Sequence, residues 1–455
     1  MKNLTLSTIA ELCSGKLFCN DASLAGTEVA GIVSDSRLVQ KDYLFVAIKG
    51  NQVDGHDYIE DAFQKGAMAV ISQKELETDQ PYIVVENPYI AVKKIAKYYR
   101  ECLDIKVVAV TGSVGKTSTK EIISSVLSEK YNTLKTNGNF NNELGVPLTI
   151  FRIREEHEVA VLELGISDFG EMTRLSEMAK PDVAVITNIG YCHLENLGSR
   201  DGILKAKTEV FQYLSKDGKI ILNGDDDRLA TINEFEGIKP VFYHLENKTS
   251  GIYADHIKAK GLKGICCTLH YEDTAIDVRI SIPGTHMVYN ALAALCVGKA
   301  FGLTDEEIKR GIEKVKPVAG RNHIVEKDNV TVIDDAYNAN PVSMKAGIDV
   351  LTTVEGRKVA VLGDMLELGK NEIALHREIG EYLAKTNIDV IVLCGELMNN
   401  AYTYLLKECP EKKLYYFDRL KELLSEIDRI ILEDDTVLIK ASHGMDFAKI
   451  IQYIR

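Results

Sequence analysis

The stretch Val107-Val108-Ala109-Val110-Thr111-Gly112-Ser113-Val114-Gly115-Lys116-Thr117 constrains this chain more than any other. A β-branched run feeds a glycine turn, and the turn leads into a helical pattern with Ile122, Ile123, Val126 and Leu127 on one face. Strand, glycine turn and helix start, in that order, form a cradle for phosphate. The glycines let backbone N–H groups close on the oxygens, and the helix start adds positive potential. Gly112, Ser113, Val114, Gly115 and Ser118 would line the cradle, Lys116 would neutralise the terminal phosphates, and the Thr117 hydroxyl would ligate magnesium. The general phosphate-loop pattern has a glycine at position 110, where this chain has Val110, so this is a shortened variant opened by Gly112.

That loop needs a parallel sheet behind it, and the chain is long enough to supply more than one. Its 455 residues suggest two to four domains at roughly 100–200 residues each. A hydrophobic fraction of 45% supports several cores. A net charge of −13 argues against nonspecific nucleic-acid binding, which needs a basic surface. The nine cysteines include no Cys-x-x-Cys pair, which favours reduced thiols over a disulfide framework or a zinc site. No apolar run reaches 18 residues and Glu11 interrupts the N-terminal segment, so neither a membrane span nor a signal peptide is expected. The expected compartment is the cytoplasm, and the expected state a monomer.

Three α/β blocks follow from the periodicity. Residues 1–86 hold short strands at Gly31–Ser34, Tyr43–Ile48, Met68–Ser72 and Tyr82–Glu86, a polar turn at Lys49-Gly50-Asn51, and a helix over Tyr58–Lys65. Residues 87–318 open with a helix over Tyr89–Cys102. Buried-type strands follow at Lys106–Val110, Val159–Glu163, Asp182–Thr187 and Lys219–Asn223, which read as a parallel sheet. Near 250–282 the pattern changes to antiparallel-type alternation, at Cys266–Tyr271 and Ala275–Ser281. Residues 319–455 return to a Rossmann-like alternation, with strands at Val330–Asp334, Lys358–Gly363, Asp389–Gly395 and Thr436–Ala441 and helices at Ser343–Leu351 and Arg419–Ile427.

Polar clusters stand where these strands end, which is where open parallel sheets bind ligands. Thr136-Asn137-Gly138-Asn139-Phe140-Asn141-Asn142 is dense in amide donors and acceptors, and reads either as an ordinary turn or as a substrate contact. Glu163 closes an apolar strand beside the phosphate loop, a suitable seat for a hard cation, though a strand-end carboxylate is also often merely solvated. His193, taken alone, reads as an ordinary loop histidine. Lys207, in Lys205-Ala206-Lys207-Thr208-Glu209, reads as part of a solvated face.

Taken together, these motifs resemble the Mur ligases, the ATP-dependent amide-forming enzymes of peptidoglycan precursor synthesis. The likeness rests on Thr111–Thr117, Thr136–Thr149, Glu163-Leu164-Gly165, Thr187-Asn188-Ile189 with His193-Leu194-Glu195, and Lys205–Phe211. It continues through Gly284-Thr285-His286 with Asn290–Ala294, Asp334–Pro341 and Leu362–Gly369. The last two match the branch that joins D-alanyl-D-alanine to UDP-N-acetylmuramoyl-tripeptide. Asp35-Ser36-Arg37 and Asp54-Gly55-His56 resemble that branch's uridine-binding domain.

The resemblance implies an acyl-phosphate route and a division of labour among the residues. Residues 1–86 would bind the UDP substrate through Ser36 and Arg37, residues 87–318 would bind ATP, and residues 319–455 would close over ATP and receive the dipeptide. Asn290 would contact adenine, with His286 close by, and Arg321 and Asp335 would reach phosphates and ribose. Two magnesium ions would be held by Thr117 and Glu163 and by His193 and a carbamylated Lys207, so that Lys116, His193 and Lys207 carry the catalysis. Asn139, Asn141 and Asn142 would touch the acceptor, and Asn338 and Asn340 the dipeptide. A hinge is expected near Val315–Arg321.

Two departures and several rivals bear on this reading. The branch often ends in Lys-Gly-Ser-Arg-Gly-Met, where this chain has Lys440-Ala441-Ser442-His443-Gly444-Met445, and an imidazole cannot replace a guanidinium fork. The ligase that adds the third stem residue carries an Asp-Asn-Pro-Arg signature that is absent here. Folylpolyglutamate synthase lacks the first block. A nucleotide-binding regulator without catalysis would not need Lys116, Glu163, His193 and Lys207 together.

Overall fold

A computed structural model describes residues 1–50 and 53–454; Asn51 of the expected polar turn lies outside the described residues, as do Gln52 and Arg455. The chain forms three mostly parallel sheets in succession, with a small antiparallel sheet packed on the middle one. The first contains β1 (Lys16–Phe18), β2 (Gly31–Val33), β3 (Tyr43–Val46), β4 (Ala67–Ser72) and β5 (Tyr82–Val84), ordered β1-β5-β4-β3-β2. Only β1 runs antiparallel. Three residues long and partly exposed, it left no apolar run to read in the sequence.

The helix Pro88–Glu101 leads into the second sheet, capped by the Asn87 carboxamide with proline at its first position. That sheet consists of β6 (Lys106–Thr111), β7 (Thr133–Lys135), β8 (Val159–Glu163), β9 (Val183–Ile186), β10 (Lys219–Asn223) and β11 (Val241–Tyr243), all parallel. Their order is β11-β10-β9-β6-β8-β7. The chain fills one side of β6 with β7 and β8 and then crosses to the other side for β9, so β6 ends at the point where the winding reverses. Such a reversal opens a crevice at the strands' carboxyl ends. The antiparallel sheet that the alternation predicted follows, and gains a third strand: β12 (Ile252–Ala259), β13 (Ile265–Tyr271) and β14 (Thr274–Ile280). The apolar sides of these strands pack with the helices Lys116–Leu127, His286–Ala300 and Asp305–Glu313 into a second core beneath the middle sheet.

The third sheet is β15 (His323–Lys327), β16 (Val330–Asp334), β17 (Lys358–Gly363), β18 (Val390–Cys394), β19 (Lys413–Phe417) and β20 (Thr436–Lys440), ordered β15-β16-β20-β17-β18-β19. β15 is antiparallel and the rest are parallel. β16 and β20 are paired with Asp334 opposite Ile439, so Asp335 and Lys440 emerge side by side. The connector from the second sheet is fixed at both ends. Ser281 Oγ donates to Val315 O at 2.9 Å, and Gly320 N donates to Asp334 Oδ2 at 2.8 Å. Lys316–Ala319 lie between these anchors.

The tightest backbone approach in the second sheet occurs where β6 turns into the loop. Gly112 has φ +147°, and a Cβ there would lie 1.9 Å from Thr187 Oγ1. Gly112→Ala combines a disfavoured φ with a hard contact, so it should destabilise the chain by about 2–4 kcal/mol. A lowered urea midpoint for the variant is the expected reading; an unchanged midpoint would show that Thr187 yields freely.

Candidate functional site

The phosphate loop is held from behind by the end of β9. Asn188 accepts from Ser113 N through its main-chain oxygen at 3.0 Å and from Val114 N through Oδ1 at 3.0 Å. Its Nδ2 donates to Val114 O at 3.0 Å, and Thr187 Oγ1 donates to the same oxygen at 2.6 Å. Ser113 Oγ accepts from Gly190 N at 2.8 Å. Two of the loop's N–H groups are therefore already bonded. Those of Gly115, Lys116, Thr117 and Ser118 make no hydrogen bond to any described residue, and the helix Lys116–Leu127 has no side-chain cap. Four orphan donors at the positive end of a helix dipole are a seat for an anion. Lys116 Nζ folds over the loop to Gly112 O at 2.8 Å, and burial pushes its pKa down.

Glu163 lies beside Val110 in the β6–β8 register, and its side chain is buried next to the loop. Oε1 accepts from Thr117 Oγ1 at 3.2 Å and from Asn141 Nδ2 at 2.9 Å. Oε2 is buried with no hydrogen-bond partner and lies 3.8 Å from Lys120 Nζ. Lys120 itself is occupied by Thr136 O at 2.9 Å and by Glu121 at 3.0 Å. A buried carboxylate oxygen left unpaired is costly, and a hard cation beside Thr117 would remove that cost. Among the described residues, no three His, Cys, Asp or Glu side chains gather as a metal cluster, so a cation here would depend on Thr117 and on ligands brought by substrate.

Two cavities meet at this loop. One, of about 440 Å³, is lined by Gly115, Thr117 and Ser118 of the loop, by Tyr243, His286, Met287, Tyr289 and Asn290, and by Arg321, Asp335 and Lys440. It therefore has walls from both the second and the third sheets. Asn290 is buried and accepts from Thr119 Oγ1 at 3.0 Å. Asp335 accepts from Lys440 Nζ at 2.6 Å, a buried pair in which desolvation still lowers the lysine's pKa. Burial also pushes the His286 imidazole below its ordinary pKa, towards the neutral form. The second cavity, of about 450 Å³, is lined by Lys116, Thr117, Asn141, Asn142, Glu163, His193, Arg321, Tyr337, Asn338 and Asn340. Arg321 borders both, its guanidinium 4.0 Å above the Tyr337 ring.

The expected residues fall into distinct positions. Asn142 Oδ1 accepts from Leu144 N and Gly145 N, and Asn340 Oδ1 caps the helix Pro341–Thr352, so each carboxamide oxygen has a structural task. Asn139 is exposed and lines neither cavity. Ser36 and Arg37 lie in the first block, outside both cavities; Ser36 is buried, and Arg37 is exposed and paired with Asp35 at 2.7 Å. Lys207 was read without the resemblance as part of a solvated face, yet it is only 1% exposed. No hydrogen bond or ion pair to a described residue accompanies it, and burial pushes its pKa down to about 8. Its helix turns this position inward while Lys205 stays near the surface, a distinction that charge pattern alone does not carry. His443 is exposed, its ring 5.6 Å from that of Tyr337, and it lines neither cavity.

Three contributors escaped residue-level reading. Asn188 is an amide just past a strand end, a signal too common to select it. Tyr337 offered no signal beyond its motif. Lys440 could have been found, because a charged residue closing a wholly buried strand is the same feature that singled out Glu163.

Family models match in three consecutive segments: "Mur ligase family, catalytic domain" over residues 28–107, "Mur ligase middle domain" over 110–298, and "Mur ligase, glutamate ligase domain" over 320–443. The UDP-N-acetylmuramoyl-tripeptide–D-alanyl-D-alanine ligase of Bacillus subtilis is 36% identical, across 98% of this chain and 97% of the relative. The Escherichia coli ligase of the same name is 33% identical, across 100% and 99%. A crystal structure of MurF from Acinetobacter baumannii superposes with a TM-score of 0.88 at 32% identity, covering 99% of this chain and 98% of that one. MurF from Thermotoga maritima, in complex with ADP, superposes with a TM-score of 0.79 at 29% identity, covering 93% and 96%. With a matching fold and a likeness that runs its whole length, the chain belongs to the Mur ligase family, in the branch of the UDP-N-acetylmuramoyl-tripeptide–D-alanyl-D-alanine ligases.

Proposed function

We propose that this chain uses ATP to join D-alanyl-D-alanine to UDP-N-acetylmuramoyl-tripeptide, a cytoplasmic step of peptidoglycan precursor synthesis. The observation that carries the reading is the pair of cavities sharing one phosphate loop. ATP occupies the first in this reading, with its adenine at Asn290 and its phosphates on the N–H groups of residues 115–118. The tripeptide carboxylate and the incoming amine fit the second. Ser36 and Arg37 hold the uridine end in the first block, with Asn139 along the way. Asn141 and Asn142 face the acceptor, and Asn338 and Asn340 the dipeptide.

The reaction then runs in two displacements. A tripeptide carboxylate oxygen attacks the γ-phosphorus, forming an acyl phosphate and releasing ADP. The dipeptide amine attacks the acyl carbon, the new C–N bond forms, and phosphate leaves. Most of what the first displacement asks of a protein is alignment and charge neutralisation. Lys116 and Arg321, which both line the second cavity, supply positive charge, and the four unbonded N–H groups fix the phosphates. Closure of the third block onto the second would keep water from the acyl phosphate.

The buried, unpartnered Glu163 oxygen beside Thr117 fits one hard cation, so these two residues would hold one Mg²⁺. The family likeness implies a second at His193 with a carbamylated Lys207, although Lys207 lines neither cavity. Magnesium there would lower the repulsion between carboxylate and phosphate. Carbamylation converts an unpaired buried cation into an anion. It needs the neutral amine, and a pKa of about 8 makes that form accessible near neutrality.

Phosphate release should require both substrates, with a product heavier than the tripeptide nucleotide by one dipeptide less water. Turnover with neither substrate, despite ATP binding, would favour the regulator reading. Lys207→Ala should lose at least a hundredfold in kcat and regain part of it with added short-chain carboxylate. In the wild-type chain at limiting CO₂, activity should fall as pH drops below about 8, because protonation of Lys207 removes the reactive amine. A flat profile with an active Lys207→Ala variant would exclude the carbamate.

A further inference from the structure

His193 belongs to the second block, but its closest charged neighbour belongs to the third. Glu367 Oε2 lies 2.7 Å from His193 Nδ1. Both residues have left-handed backbones, φ +51° for His193 and +63° for Glu367, an uncommon conformation for non-glycine residues. The elements that carry them touch. His193 starts the short helix Leu194–Leu197, and the turn Gly369–Asn371, two residues beyond Glu367, packs against that helix. At Gly369, φ +59°, a Cβ would lie 3.3 Å from the main chain of Glu195. The turn is held on the third sheet through Leu368, which is buried.

The contact has a chemical consequence for the imidazole. The approach is a close charge contact without an aligned ring N–H hydrogen bond, and the carboxylate's charge favours the proton on Nδ1, the tautomer that leaves the lone pair on Nε2. Nε2 makes no hydrogen bond to a described residue, and His193 lines the same cavity as Lys116, Thr117 and Glu163. We infer that Glu367 is a positioning residue: it sets the tautomer and orientation of His193 and so makes a second-block side chain competent to bind a metal only when the third block is docked. The inference rests on the proposed role of His193 as a metal ligand. It gives closure a task beyond covering ATP, because docking of the third block and readiness of His193 become one event.

The full-length chain, labelled with ¹⁵N-histidine, provides the test. The His193 signals are assigned by their loss in His193→Gln, and Mn²⁺ affinity is measured by electron paramagnetic resonance with a non-hydrolysable ATP analogue. Wild-type chain should show a protonated Nδ1 and a bare Nε2. Glu367→Gln keeps the side chain's size, which controls for folding, but its amide can donate to Nδ1, so it should move the proton toward Nε2. Glu367→Ala should mix the tautomers and weaken Mn²⁺ binding about tenfold or more, the usual cost of losing a ligand's outer partner. Unchanged nitrogen shifts in Glu367→Ala, or altered shifts with wild-type Mn²⁺ affinity, would overturn the inference. Wild-type Mn²⁺ affinity in His193→Gln would instead overturn the metal role on which it rests.

Discussion

Four backbone N–H groups at the start of the helix Lys116–Leu127 have no protein acceptor, and much of the site is organised around that deficit. A helix start usually finds a capping side chain. Here Gly115 stands at the cap position and offers none, while Asn188 takes the two preceding N–H groups and holds the loop open. The loop is therefore rigid behind and unsatisfied in front. Lys116 covers it with one positive charge, and burial disfavours that charge until an anion arrives.

Topology explains why the other groups converge there. β6 lies between β8 and β9 at the reversal of winding, so Glu163 and Thr187-Asn188 flank the loop without any long-range adjustment. The third sheet repeats the device. β16 and β20 are neighbours, which sets Asp335 beside Lys440 and orients both toward the first cavity. Arg321 follows directly on the connector, is stacked on Tyr337, and reaches both cavities. Both sheets thus supply walls of the first cavity.

The sequence disclosed these arrangements unevenly, for identifiable reasons. Long buried strands such as β8, β10, β16 and β17 announce themselves as apolar runs, and the structure has them where periodicity put them. Short strands such as β1 and β7 owe their existence to pairing partners, so local pattern had nothing to record, whereas Leu414–Phe417 of β19 is a readable aromatic run missing from the expected strands. At the site, Glu163 was legible because a carboxylate interrupts a buried strand. Lys207 was not, because its burial depends on how one helix packs. Asn142 and Asn340 show a double use: both line the second cavity, while their side-chain oxygens accept main-chain N–H groups, from Leu144 and Gly145 in one case and from Ser343 in the other. The Glu367–His193 contact joins residues 174 positions apart, in different sheets' territory, and no local pattern could have paired them.

In the proposed reading, ATP is held jointly by the second and third sheets. Isothermal titration of ATP into the full chain and into Arg321→Ala tests it most directly, with Lys116→Met as the reference for losing the loop's own charge. A loss of affinity of tenfold or more in both variants is the predicted result. Wild-type affinity in Arg321→Ala, with a loss only in Lys116→Met, would mean that the second sheet holds the nucleotide alone and that the shared cavity is not the ATP site.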